Sequence, residues 1–223
     1  MAAAGPSDAS GAGVTGVILA GGQSRRLGRD KAVEPFQGQP LIRRVMDRVE
    51  QVAQELVVVV ADQARGQALP IAIESDATHR VALDRYPGAG SLGGIFSGLW
   101  AARRPWALVV SCDMPFLNPV LLRHMLTLRQ DADAVVPVVE GRPEPTHALY
   151  SKACLPHMES RLQASELKIS GFFDQVRVRY LEEGDIVKFD PELLSFFNVN
   201  TPEELQRALT LAARTTSSRP VAR

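Results

Sequence analysis

The chain has 223 residues, enough to bury one substantial core and few for two. Lys plus Arg and Asp plus Glu are 25 each, so no basic excess marks a nucleic-acid binder, although a small anion needs only a local cluster. Cys112 and Cys154 fit neither a metal spacing nor a disulfide framework, which points to a reducing, cytoplasmic setting, and no apolar run approaches the ~18 residues of a membrane span.

The opening "MAAAGPSDASGAG" has no basic n-region and no apolar core, so it reads as a flexible lead-in over 1–13 and not as a signal peptide. "VTGVILA" (14–20) is apolar without alternation, the pattern of a strand buried on both faces. From Pro40 the period changes: Leu41, Val45, Val49, Val52 and Leu56 recur at three and four, predicting an amphipathic helix. "ELVVVVA" (55–61) predicts a second buried strand, and "LPIAIES" (69–75) a weaker third. A glycine turn, "YPGAGSLGG", leads into a helix carrying Ile95, Leu99 and Trp100, and "WALVVSCD" (106–113) is another buried strand. Asn118 and Pro119 supply the cap and first-turn proline of the next helix.

After Asp131 the rhythm changes. "DAVVPVV" and "PTHALYS", separated by "EGRPE", predict a hairpin-like excursion. A helix over about 151–164, a segment "ELKISGFFDQ" and an alternating strand "VRVRYLE" follow. In "TPEELQRAL", Thr201 and Glu204 form a capping box around Pro202. Strand–helix alternation predicts a three-layer, Rossmann-like α/β fold with a mostly parallel twisted sheet. With no repeat or linker it predicts a single domain over 14–212 with a substrate-side excursion after residue 131, then a tail over 213–223.

Four segments carry chemistry. "GVILAGGQSRRLGRDK" follows the first strand, and ligands of open α/β sheets sit beyond the carboxyl ends of the strands. It is not a P-loop, because Lys31 is followed by Ala32, and not a dinucleotide fingerprint, because its glycines are adjacent. Gly21 and Gly22 let a ligand approach backbone N–H groups, Lys31 offers a point charge, and Arg25 or Arg26 a planar fork. A solvated basic turn is the plain alternative. In "SCDMP", Asp113 closes an apolar strand where a carboxylate could hold Mg²⁺, or could simply cap the turn. In "LDRYPGAGSLGG", Asp84 ends a short apolar stretch, and Gly90, Gly93 and Gly94 open a helix whose N-terminus attracts anions. In "FFNVNTPEEL", Asn198 and Asn200 alternate along an extended segment and point the same way. His124 and His147 are isolated from any ligand partner, Cys112 reads as a buried small residue, and no G-x-S-x-G or H-E-x-x-H occurs.

"LAGGQSRRLGRDK" resembles the LAGG-x-S-x-RMG-x-x-K loop of a nucleotidyltransferase superfamily. Together with "CDMP", the glycine turn and "NVNTPEEL", it makes the chain similar to the molybdenum cofactor guanylyltransferases from Gly16 to about Leu209. The resemblance implies a nucleotide-diphosphosugar-transferase-like fold, nucleotide-binding over about 14–130 and acceptor-side over about 131–212. It implies transfer of GMP from GTP to the phosphate of molybdenum-loaded molybdopterin, with Mg²⁺ and release of pyrophosphate, and molybdoenzyme chaperones as further partners. By position it implies nucleotide contacts at Leu19, Ala20, Gly21, Gly22, Lys31, Asp84 and Asp113, with Mg²⁺ on Asp113. Lys31, Arg26 and Asp113 are the implied catalytic groups. Gly28 matches another functional position, and Gly90, Gly94, Asn198 and Asn200 are the implied acceptor-side residues.

Two departures stand out. The family's G-P-L-A-G turn reads "GSLGG", with Ser91 for proline, and an asparagine that some members carry at the end of the second strand is Val60. The mechanism expected from the resemblance is in-line attack of the pterin phosphate on the α-phosphorus, with no covalent enzyme intermediate. The rival readings are a cytidylyl- or sugar-phosphate nucleotidylyltransferase, and a nucleotide- or cofactor-binding module without catalysis. Cytidylyl relatives usually read "LAAG", so Gly21-Gly22 favours GTP.

Overall fold

A computed structural model describes residues 13–22, 30–70 and 78–217. Among the described residues, eight strands form one sheet and two short ones a separate hairpin. The chain runs β1 (Val14–Leu19), the hairpin β2 (Pro35–Phe36) and β3 (Gln39–Pro40), α1 (Leu41–Val49), β4 (Glu55–Val60), α2 (Gln63–Ala68) and β5 (His79–Leu83). It continues through α3 (Gly90–Ala101), β6 (Trp106–Ser111), α4 (Pro119–Thr127), β7 (Ala134–Val139), β8 (Arg142–Pro143) and β9 (His147–Ser151). The last elements are α5 (Leu155–Gln163), β10 (Val178–Leu181), α6 (Glu183–Ile186) and α7 (Pro202–Ser217).

The sheet order is β10-β7-β9-β6-β1-β4-β5, with β8 paired to β7. β1 is an interior strand, parallel to both β4 and β6, and β4 is parallel to β5. That placement explains the unbroken apolar runs: Val17 and Ile18 face opposite helical layers and both are fully buried. β9 runs antiparallel to both β6 and β7, so the excursion expected after Asp131 is the hairpin that turns the sheet mixed.

On one face α1 and α4 bring Val45, Met46, Leu121 and Met125 onto Ile18, Val58 and Val110. On the other, α3 and α5 bring Ile95, Leu99, Met158 and Leu162 onto Val17, Val59 and Val109. Each such fully buried aliphatic side chain contributes about 2 kcal/mol. A third cluster seats Ala208 and Ala212 of α7 against Phe36, Leu41 and Val199.

Some boundaries differ from the periodic pattern. α1 stops at Val49, and Leu56 belongs to β4, where it pairs with Gly16; the helical spacing ran on into the strand by coincidence. Gln54 fixes the break, its Oε1 accepting from Val14 N at 2.6 Å and its N–H donating to Val14 O at 3.2 Å. Most of the strand expected over 69–75 lies outside the described residues. α2 was not legible as a helix, whereas Asn118 caps α4 as its chemistry predicts, its Oδ1 accepting from Val120 N at 2.9 Å.

Candidate active site

β1, β4, β5 and β6 are parallel, so Leu19, Val60, Leu83 and Ser111 end on one edge of the sheet. A cleft of about 580 Å³ opens there. Its walls include Leu19, Gly21, Gly22, Lys31 and Asp84, with Gly90, Ser91 and Gly94 from the first turns of α3. Ala20 is buried beneath it, its N–H donating to Val59 O at 2.8 Å. A Cβ on Gly21 would stand 3.3 Å from Ala61 N, so this glycine marks a close approach of two strand ends. Gly90 adopts φ +63°, a left-handed conformation at the helix entrance that glycine takes without strain. Val60 is fully buried, while its neighbours Val59 and Ala61 face the cleft.

The charged groups converge from distant parts of the chain. Lys31 opens the 3-10 turn Lys31–Val33, which Asp30 caps by accepting from Ala32 N at 3.0 Å. The Lys31 ammonium bonds to Asp113 Oδ2 and donates to Asn200 Oδ1 at 3.1 Å. Asp113 is 3 % exposed, and its Oδ1 is buried without a hydrogen-bond partner among the described residues. A buried carboxylate oxygen left in that state is costly unless a donor or cation reaches it. Among the described residues no three His, Cys, Asp or Glu side chains gather as a metal cluster. A cation at Asp113 would therefore complete its shell with ligand or water oxygens.

Asp84 approaches the cleft from the end of β5. Its Oδ1 accepts from Tyr86 N at 3.0 Å and Ser97 Oγ at 2.9 Å, an arrangement that fixes the carboxylate and leaves Oδ2 for a ligand. Beyond β6, Val199 N donates to Asp113 O at 3.0 Å, which docks the 198–200 segment against the end of that strand. Glu204 closes the capping box with Thr201 and also accepts from Asn200 N at 2.7 Å. Asn198 donates to Phe196 O at 3.1 Å. Burial pushes the Cys112 thiol up to about 12, so no thiolate nucleophile sits at this edge.

Residues 16–177 match the MobA-like NTP transferase domain. The chain belongs to that family. Among the curated relatives, the molybdenum cofactor guanylyltransferase of Desulfosudis oleivorans is 36% identical over 200 residues, covering 87% of this chain and 94% of its own. Molybdopterin-guanine dinucleotide biosynthesis protein A of Archaeoglobus fulgidus superposes with a TM-score of 0.77 at 28% identity, over 90% of this chain and 100% of that one. 4-Diphosphocytidyl-2C-methyl-D-erythritol synthase of Anaerococcus prevotii shares the fold, with a TM-score of 0.68 at 17% identity over 92% of this chain and 100% of its own. The mostly parallel sheet with helices on both sides is thus the nucleotide-diphosphosugar-transferase-like architecture.

In this MobA-like transferase, Lys31, Asp113 and Asn200 meet, although the sequence reading set Asn200 apart from the other two, and Leu19, Gly21, Gly22 and Asp84 share one cleft. Gly90 and Gly94 belong to that same cleft wall, with Gly21 and Gly22 and not with the two asparagines. The proposed roles of Arg26 and Gly28 lie outside the described residues. Sequence reasoning passed over Ser97 and the second task of Glu204, because neither residue type announces a partner that folding brings from elsewhere. It also passed over Arg65 of α2, where only an aspartate cap at Asp62 marked the helix. Among the described residues, no helix is long and apolar enough to cross a membrane.

Proposed function

We propose that this protein transfers the GMP unit of GTP to the terminal phosphate of molybdenum-loaded molybdopterin, forming molybdopterin guanine dinucleotide and pyrophosphate. The observation that carries the reading is the Lys31 ammonium held between Asp113 on the cleft side and Asn200 on the segment beyond it. A cation is thereby stationed where a bound nucleoside triphosphate and a second substrate would meet. The relatives' names supply the identity of the two substrates.

A phosphate oxygen of the acceptor attacks the α-phosphorus, the new P–O bond forms, and the bond to the β-phosphate breaks with its electron pair leaving on pyrophosphate. The nucleophile is already an anion, so no general base is required. The task left to the chain is positioning and charge neutralisation. Lys31 turns to the phosphates, the glycine turns admit the nucleotide backbone, and Asp84 holds the nucleoside. The orphan oxygen of Asp113 fits Mg²⁺, a hard cation that takes one or two carboxylates, and an ion held by Asp113 would offset charge on the triphosphate.

The test is product formation from GTP and molybdopterin with Mg²⁺, combined with thermal-shift titration by GTP, CTP and ATP. The dinucleotide, pyrophosphate and a shift largest for GTP are expected. Equal shifts for all three nucleotides would remove the guanine assignment, and a tight GTP complex that never yields pyrophosphate would leave a binding module.

A further inference from the structure

One arginine outside the cleft wall is bonded to the chain both where it enters the first glycine turn and where it leaves for Lys31. Arg65 lies in α2, held there by Asp62, whose Oδ1 accepts from Arg65 N at 2.8 Å. Its Nε donates to Ala20 O at 3.1 Å, the carbonyl just before Gly21. Its Nη2 donates to Asp30 Oδ1 at 2.6 Å, while Nη1 pairs with Asp30 Oδ2. The same Asp30 caps the turn that begins with Lys31. The Arg65 side chain is 18% exposed and that of Asp30 27%, so the fork is shielded from much of the solvent.

We propose that Arg65 is a positioning residue that holds the two stems of the nucleotide loop together and so sets Lys31 for the triphosphate; the inference rests on the GTP-binding reading above. Fixing both stems before GTP arrives lowers the ordering cost that binding would otherwise carry. The geometry demands arginine. Three directional donors are used at once, to one carbonyl and to both oxygens of one carboxylate, and a lysine reaches only part of that set. Because Arg65 does not touch the cleft, its removal should act through Lys31 and the glycine turn.

The experiment measures GTP affinity by calorimetry with Mg²⁺, and steady-state kinetics for both substrates, on the full chain. Arg65→Ala should weaken GTP binding by about tenfold, and Arg65→Lys should recover part of that loss. The KM for molybdopterin should move less than about twofold, a separation that a general loss of stability would not give. Asp30→Asn retains the acceptor for Ala32 N but breaks the ion pair, and the double variant Arg65→Ala/Asp30→Asn should be no worse than Arg65→Ala alone. Wild-type GTP affinity in a folded Arg65→Ala, or effects of the two substitutions that multiply, would overturn the inference. If Arg65→Ala does not fold, Arg65→Lys and Asp30→Asn carry the same test, and unchanged affinity in both overturns it. A wild-type protein that binds GTP but transfers nothing defeats the transfer reading and leaves this inference to the affinities. A wild-type protein that binds no GTP defeats both.

Discussion

Lys31 and Asp113, 82 residues apart, form an ion pair at the cleft whose carboxylate keeps one buried oxygen without a partner among the described residues. The carboxylate side chain is 4% exposed and the lysine 17%, so most of the desolvation falls on Asp113. The Lys31 ammonium offsets that cost. Lys31→Met therefore leaves a buried carboxylate uncompensated and should lower stability by about 2 kcal/mol in urea unfolding. Asp113→Asn keeps the shape without the charge and should unfold closer to the wild type. Both should reduce pyrophosphate release by about 10²-fold or more. Full turnover in either folded variant would remove the residue from the chemistry.

Two glycines separate the needs of the fold from those of the ligand. A Cβ at Gly98 would lie 2.2 Å from Val17 Cγ1, inside the packing of α3 on β1. Gly98→Ala should cost about 2 kcal/mol, with GTP affinity preserved in the folded fraction. At Gly22 a Cβ meets nothing within 4 Å among the described residues, so Gly22→Ala should melt as the wild type does. On the proposed GTP-binding role of the cleft it should nevertheless weaken GTP by about tenfold or more, because the added methyl would occupy space the nucleotide needs beside the backbone. Unchanged GTP affinity in Gly22→Ala would place the nucleotide elsewhere.

Glu204 joins the last helix to the Asn198–Asn200 segment. Its carboxylate accepts from Thr201 N at 3.0 Å as a cap and from Asn200 N at 2.7 Å as a brace. Glu204→Ala should lower stability by about 1 kcal/mol. It should also raise the KM for molybdopterin while sparing the KM for GTP, since the brace acts on the asparagine segment. Equal changes in the two constants would show that Glu204 only caps the helix, and Glu204→Gln should restore most of both functions.

Local chemistry made part of this architecture legible in advance. Buried parallel strands advertise themselves as unbroken Val/Ile/Leu runs, and Asn118 and Thr201 announce helix starts because their side chains complete the first turn within three residues. The end of α1 was not legible, because Val52 and Leu56 kept the helical interval while Gln54 tied the chain to Val14. Among site residues, Lys31, Asp84 and Asp113 stood out because they follow apolar strands, whose ends define the ligand edge. Arg65 and Ser97 did not, since their importance lies in partners 45 and 13 residues away. The sequence reading grouped the glycines of α3 with the asparagines; α3, packed over β1 and β4, brings Gly90 and Gly94 to the cleft wall shared with Gly21 and Gly22.

His147 gives the fold a pH dependence independent of the phosphate chemistry. It begins β9, is fully buried, and stacks on Phe196 with ring centroids 4.5 Å apart. Burial pulls its imidazole from the ordinary 6.5 down to about 4. The native state therefore resists a proton that the unfolded chain accepts. Stability is unaffected by this group above about pH 6.5, falls as the pH drops from there towards about 4, and loses nothing further below, where both states are protonated. The full contribution is about 3 kcal/mol. His147→Phe keeps an aromatic ring against Phe196 and removes the titration. Urea unfolding at about pH 7 and about pH 4.5 should show the wild type losing more stability than the variant over that interval. Parallel losses in the two proteins would mean that His147 takes up its proton in the native state.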